Sequence, residues 1–375
     1  GHSVRVLTPD DAPMVVRLLT GGLRRGLSLM GPDWNGKATA WKWFARIACA
    51  CIGMQRHFDI IHAQDAGSAV AAGLATRWCL PVVLTCHCFN NTVPELAETA
   101  DLSSQAYRLY ERWFKWLYHK LHLFMCPSEY AVERVRSYTG ERGVIELVPH
   151  GVPFDILGSS LPDTSLTAAS TGKHIVLNAG RLEPHKNQMF LVETAAALTR
   201  RDIVFWLAGD GSEMPRLADA IRQRGLQDRV ILLGHRDNLP AVMKAATMYV
   251  HVARKETFGL VLLEAIACGL PAFAARAGGT PELFGETESQ SVFPPETTPG
   301  ELACSIENWI RNPDGLSRLA HNQFMNAHER FDIPRMADQT LAFYAEALTL
   351  WPEIRQGTVH SAGQSRRQET RQEQS

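Results

Sequence analysis

Between His174 and Ala253 the chain repeats one rhythm. Short apolar runs, HIVLNAG, IVFWLAG, RVILLGH and MYVHVA, alternate with helical patterns over Gln188–Thr199, Met214–Arg224 and Leu239–Ala245. Runs of four to six apolar residues without alternation predict strands buried on both faces. A helix between each pair of strands forces parallel pairing, because parallel neighbours need a crossover connection. The first half carries the same rhythm in Asp59–Ala63, Gly67–Cys79, Pro81–His87, Leu121–Cys126, a helix entered at Ser128, and Val144–Val148. With 375 residues, two such α/β domains can each bury a core.

The expected limits are a first Rossmann-like domain over 1–152 and a linker over 153–172, where Ser, Thr, Ala, Gly and Pro lose periodicity. A second domain spans 173–333. A helix over 334–351 is expected to cross back to the first domain, and a polar tail over 352–375 to be disordered. Smaller expectations are a strand at Val4–Thr8 stopping at Pro9, an irregular stretch over 10–40, a helix over Ala40–His57 and a closing helix over Glu301–Arg330.

Composition narrows the partners. A net charge of −1 gives no electrostatic reason to bind nucleic acid. The eight cysteines form no CxxC pair. Cys86-His87-Cys88 looks like a metal site, but along a strand Cys86 and Cys88 share one face and His87 the other, so the cysteines read as reduced packing residues. No apolar run of about 18 residues and no signal peptide appears, so a cytoplasmic, reducing location is expected. Residues 101–121 form a long helix ending RWFKWLYHKLH. Its aromatics pack on the sheet while its bases stay solvated, or the face touches a membrane surface; the sequence leaves both open.

The chemistry concentrates in RKETFGLVLLEAIACGLPAFAARAGGTPE, Arg254–Glu282. Glu256 precedes a Phe258-Gly259 turn, and Leu260 opens an apolar helix carrying Glu264. The first N–H groups of a helix have no partner inside it, and the macrodipole is positive there, so they take an anion. Gly259 admits a ligand close to that backbone. Phosphate on amides and hydroxyls on carboxylates describes a nucleotide-sugar. A second loop, Asn178–Asn187, offers Arg181 as a planar fork of donors and Lys186 as a compact cation, suited to a diphosphate leaving group. Gly180 and Gly209 sit at strand ends beside it. Plainer readings exist for three of these residues. Glu264 can be a helix acid paired with a base, Glu256 an acid favoured by the helix dipole, and His87 a packing histidine at the end of its strand.

These segments resemble the retaining glycosyltransferases of family 4 (glycosyl transferases group 1), which have the GT-B fold. The family's G-R-L-x-x-x-K-N stretch matches Gly180–Asn187, its E-x-F-G-L-x-x-x-E-A element matches Glu256–Ala265, and its G-G-x-P-E loop matches Gly278–Glu282. Asp59–Ala63, Pro81–His87 and Val148–Val152 resemble first-domain segments. The resemblance implies two Rossmann-like α/β/α domains facing each other across a cleft. It implies a metal-independent, cofactor-free, hexosyltransferase-type reaction from a UDP- or GDP-sugar to a hydroxyl acceptor, lipid-linked or not, in carbohydrate biosynthesis. Arg181 and Lys186 would bind the diphosphate, with Gly180 and Gly209 shaping the loops. Gly259 and Leu260 would present amides to a phosphate, with Phe258 beside them in the donor site, and Glu264 would take the ribose hydroxyls. Glu256 would face the transferred sugar, with His87 beside it from the other domain.

The chain departs from the family pattern at three points. Ala253 stands for a frequent Ser and His150 for an Asn. The family's first strand, Gly-rich loop and helix would precede Gly1, so a longer natural chain is expected. Two rival readings follow: a non-catalytic nucleotide-sugar-binding remnant, and a sugar-nucleotide epimerase or phosphorylase of the same architecture.

Overall fold

The computed structural model describes residues 4–11, 42, 44–52, 57–87, 104–140 and 142–357. Residues 12–40, Cys88 and the tail from 358 onward, for which expectations were stated, lie outside the described residues. The chain divides into two units, Gly1–Val148 with Asp338–Ser375, and Pro149–Ala337.

In the first unit, β1 (Ile61–Ala63), β2 (Val82–Thr85), β3 (Leu123–Cys126) and β4 (Val144–Leu147) pair in that order, all parallel. Every residue of β2 and β3 is buried, as continuous apolar runs require. Helices α1 (Ala66–Ala75), α2 (Ser104–Lys120) and α3 (Glu129–Thr139) accompany them. Two caps fix where helices begin: Asp65 accepts from the Ser68 amide, and Ser128 from the Ala131 amide. Along α2, Leu117 is buried, and Trp113, Phe114 and Tyr118 pack on the sheet. Trp116 stays 43% exposed, with the Lys120 ammonium over its ring.

In the second unit six parallel strands run in the order β10-β9-β8-β5-β6-β7. They are β5 (His174–Ala179), β6 (Ile203–Ala208), β7 (Val230–Gly234), β8 (Met248–His251), β9 (Ala272–Ala275) and β10 (Val292–Phe293). Alternate residues enter opposite cores: Ile175, Leu177 and Ala179 one, Val176, Phe205 and Leu207 the other. Helices α4 (Met189–Ala197), α5 (Met214–Gln223), α6 (Leu239–Lys244), α7 (Leu260–Ala267), α8 (Pro299–Ile310) and α9 (Pro313–Phe331) complete the layers. Helix α10 (Ile333–Gln356) gives its first residues to this unit and the rest to the first.

Several expectations need correction. Val4–Thr8 is not a strand; Pro9–Asp11 forms a 3-10 turn whose Asp11 carboxylate accepts from the Thr8 amide and hydroxyl. The stretch expected as a linker holds two short helices, Phe154–Gly158 and Thr164–Ala169, and belongs to the second unit. Buried Phe154 and the Asp163 cap, which accepts from the Ser165 and Leu166 amides, give it that order. The single closing helix is two, because Pro313 has no N–H to continue α8 and Asn312 caps the restart through the Gly315 amide. The part of the tail at 352–356 is helical. Strand β10, only two residues long, gave no sequence signal.

One buried side chain substitutes for a missing strand. β10 pairs with β9 only at Ala274 and Ala275, which leaves the backbone at Ala272 without a neighbour on that side. Gln323 of α9, 1% exposed, fills the gap. Its Oε1 accepts from the Ala272 amide at 2.9 Å, and its Nε2 donates to the Ala272 carbonyl at 2.8 Å and to Ser291 Oγ at 2.9 Å. Gln323→Leu keeps the volume but orphans these groups, each costing about 1–3 kcal/mol. Urea unfolding of the variant should show a loss of about 2–4 kcal/mol; a loss below about 0.5 kcal/mol, the range of ordinary surface changes, would refute this role.

Candidate active site

The strand order places the site. The chain runs from β5 outward through β6 to β7, then returns to the other side of β5 as β8. Loops leaving the carboxyl ends of β5 and β8 therefore diverge, and the crevice between them is where open parallel sheets hold ligands. The β5 loop is Gly180–Gln188 and the β8 loop is Val252–Gly259, the two stretches that carry Lys186 and Glu256.

At this point three charged or titratable side chains meet. Lys186 Nζ lies 2.6 Å from Glu256 Oε2, and His251 Nε2 lies 3.0 Å from the same oxygen. His251 is 4% exposed and Glu256 8% exposed. Burial alone pushes the Glu256 carboxyl up, but the hydrogen bond and charge of His251 and the Lys186 ammonium outweigh it and bring it down to about 2. Beneath them Tyr249, fully buried, donates to the Ala179 carbonyl at 3.0 Å and stands 3.4 Å from His251 Nδ1. Burial pushes its hydroxyl far above the usual tyrosine value.

The backbone holds the loops in register. Gly180 and Gly209 both have positive φ, and a Cβ on Gly209 would stand 1.9 Å from the Gly180 oxygen. The two glycines thus let the β5 and β6 loops touch backbone to backbone. Gly259 (φ 98°) is the N-cap residue of α7, so no side chain caps the helix there. The Gly279 amide donates to the Glu256 carbonyl, so the Gly-Gly-Thr-Pro-Glu loop buttresses the β8 loop. Gln188 donates Nε2–H to the Arg181 carbonyl and fixes the β5 loop from below.

The remaining expected residues divide. Arg181 is exposed on the β5 loop and Leu260 at the first turn of α7. Glu264 is half-buried on α7, and burial raises its carboxyl. The Phe258 ring is 3% exposed and packs edge-on to His150 and Phe331, so that side chain belongs to the core and only its backbone lies along the loop. His87 belongs to the first unit, just past β2. It donates Nε2–H to Gln64 Oε1, and burial lowers its pKa. Behind Gln64 stands His62, between the hydroxyls of Thr85 (2.6 Å) and Tyr344 (2.5 Å), its pKa lowered by burial and by His87 to about 4. Asp65 serves as the α1 cap, and Tyr138 stacks on Tyr118. Sequence reasoning missed His251, Tyr249, Gln64 and Tyr344. Strand alternation could have paired Tyr249 with His251 on one face, but nothing in the chain announces that this face meets Glu256. Among the described residues no three His, Cys, Asp or Glu side chains converge as a metal site.

Two parallel sheets with these crevice loops make the GT-B class of fold. The model of the family described as Glycosyltransferase Family 4 matches residues 1–155, and that of Glycosyl transferases group 1 matches 166–327. The chain belongs to the family 4 GT-B glycosyltransferases. It is 32% identical over 176 residues to the alpha-D-kanosaminyltransferase of Streptomyces kanamyceticus, covering 46% of this chain and 45% of that enzyme. To the D-inositol 3-phosphate glycosyltransferase of Nocardiopsis dassonvillei it is 27% identical over 281 residues, 70% of this chain and 65% of the relative. The chain thus spans less than two thirds of either. Among solved structures, Anabaena Alr3699/HepE in complex with UDP-glucose superposes with a TM-score of 0.66 at 24% identity over 81% of this chain and 82% of that one. Sucrose-phosphate synthase from Thermosynechococcus elongatus gives 0.69 at 21% identity over 83% and 79%.

The ion pair has a pH signature. A carboxyl moved from 4.5 down to about 2 contributes stability that is fully present above 4.5 and lost as pH falls toward 2. Glu256→Gln should therefore be less stable than the parent at pH 7, by an amount that shrinks between pH 4.5 and 3. Urea titrations at pH 7, 5, 4 and 3 read this, and a difference constant across that range would contradict the ionised, paired carboxylate.

Proposed function

We propose that the chain is a retaining, metal-independent glycosyltransferase of hexosyltransferase type that moves a sugar from a nucleotide-sugar to a hydroxyl acceptor. The observation that carries it is the Lys186–Glu256 pair at the β5/β8 crevice, with Arg181 exposed on the same loop as Lys186. A cationic loop opposite a helix start is suited to a diphosphate. In this reading Arg181 and Lys186 bind the diphosphate and stabilise it as it leaves. Amides at Gly259 and Leu260 take one phosphate, Glu264 accepts from the ribose hydroxyls, and Glu256 faces the transferred sugar. His87, oriented by Gln64, serves the sugar and acceptor side.

A UDP- or GDP-sugar is the proposed donor and no bound cofactor is invoked; the relatives whose structures hold UDP and UDP-glucose support UDP first. The kanosaminyltransferase and inositol-phosphate relatives support a small hydroxyl acceptor, with a lipid-linked one as the wider class. The described cysteines are all free, which fits a reducing, cytoplasmic setting. No helix of the described residues is long and apolar enough to cross a membrane. The exposed Trp116 with Lys120 on α2 supports peripheral contact with an anionic surface.

Thermal shift with UDP-, GDP- and ADP-sugars, followed by mass spectrometry with candidate acceptors, identifies the substrates. Lys186→Ala and Arg181→Ala should each cost about 10²–10³-fold in kcat, and Glu256→Ala should abolish transfer. Product NMR should show the donor's anomeric configuration, and EDTA should leave the rate unchanged. Turnover at the parent rate in Lys186→Ala and Glu256→Ala would sink the site. In a separate measurement, sedimentation with phosphatidylglycerol vesicles should pull down the parent more than Trp116→Ser; equal partition of both removes the membrane contact.

A further inference from the structure

Both ring nitrogens of His251 face acceptors. Tyr249 gives its one hydroxyl hydrogen to the Ala179 carbonyl at 3.0 Å, so toward His251 Nδ1, 3.4 Å away, its oxygen can only accept. On the other side Nε2 faces a carboxylate oxygen of Glu256 at 3.0 Å, which also only accepts. A neutral ring would set a lone pair against one of these oxygens in a pocket that gives the ring 4% exposure. An unpaired buried contact of that kind is costly. Tyr249 on its own strand and Glu256 on the β8 loop face it directly; beyond them Glu264 on α7 acts on Tyr249, and His185 and Lys186 on the β5 loop act on Glu256.

Lys186 and His251 also differ in reach. Lys186 is a flexible chain end on a surface loop, with its side chain 21% exposed; His251 is a fixed ring in a strand, with its side chain 5% exposed. A diphosphate arriving at the β5 loop competes with Glu256 for Lys186 and cannot reach His251 in the same way. Left with Lys186 alone, a buried carboxylate would lose its counter-charge as the donor binds, and burial would push it toward the neutral acid. We infer that His251 is a buried imidazolium that positions Glu256 and remains as its counter-ion when Lys186 turns to the donor diphosphate. This inference rests on the transferase reading above. It adds a positioning residue to that site and a division of labour between its two cations: one moves with the leaving group, the other stays with the carboxylate.

Two measurements test it, one of which needs no turnover. ¹⁵N-histidine NMR of the full chain, with His251 assigned by its absence from His251→Gln, should show both ring nitrogens protonated at pH 7. A neutral His251 ring overturns the proposal even if transfer is intact. The second measurement follows kcat and KM for UDP-glucose from pH 5 to 9 in the parent, His251→Gln and His251→Leu. Gln keeps a donor to Glu256 without the charge. Because Glu256 acts as the carboxylate and Lys186 is engaged by the donor, losing the last cation should carry the acid limb of kcat up by several pH units, from below about pH 5 into the measured range, so that the ratio of variant to parent kcat falls from pH 8 toward pH 5. KM should change by less than about 3-fold, since the diphosphate contacts are left in place. His251→Leu should lose kcat at every pH. An unmoved acid limb in His251→Gln, with the same melting temperature as the parent, overturns the positioning role. A parent that shows the protonated ring but transfers no sugar from any nucleotide donor fails the transferase reading instead, and with it the role in catalysis.

Discussion

Glu256 is a carboxylate kept ionised in a nearly dry place. Its position is tolerable because two side chains from different parts of the chain meet it, the Lys186 ammonium from the β5 loop and the His251 ring from β8 itself. A lone buried carboxylate would take up a proton. The pair requires β5 and β8 to be neighbours, which in turn requires the chain to cross back over β5 after β7. Gly180 and Gly209 hold the β5 loop against the β6 loop, and Gly279 props the β8 loop from behind. The site is therefore a consequence of strand order expressed through charge.

The same economy of parts appears away from the site. The sheet ends in a strand of only two residues, and a helix side chain, Gln323, supplies hydrogen bonds that a longer strand would have made. In the first unit a chain of hydrogen bonds runs from His87 through Gln64 to His62, and ends on hydroxyls from β2 and the C-terminal helix. These polar contacts, buried at Gln323 and more exposed along Gln64 and His87, set orientation as well as stability, because they tie together elements that are apart in sequence.

Much of this was legible beforehand. Strands β5, β6, β7 and β8 announce themselves as uninterrupted apolar runs, and their helices as periodic segments between caps. The Lys186 and Glu256 motifs are specific in combination, so the family and the crevice loops could be named from residues alone. What failed did so for local reasons. Val4–Thr8 alternates like a strand but is turned by Pro9 and Asp11. The stretch 153–172 lacks periodicity yet is held by one buried phenylalanine and one aspartate cap. Phe258 sits inside a binding motif, but its ring is needed in the core.

The sequence by itself determined that two parallel α/β units form, because doubly buried strands joined by helices have no other arrangement. It also determined which loops carry cations and carboxylates. Only the tertiary structure decided that Lys186 and Glu256, 70 residues apart, share one hydrogen bond, and that His251 stands behind them. No local pattern encodes that meeting. Periodicity states which face of a strand is buried, but which side chains oppose one another across the sheet is set by strand order and register.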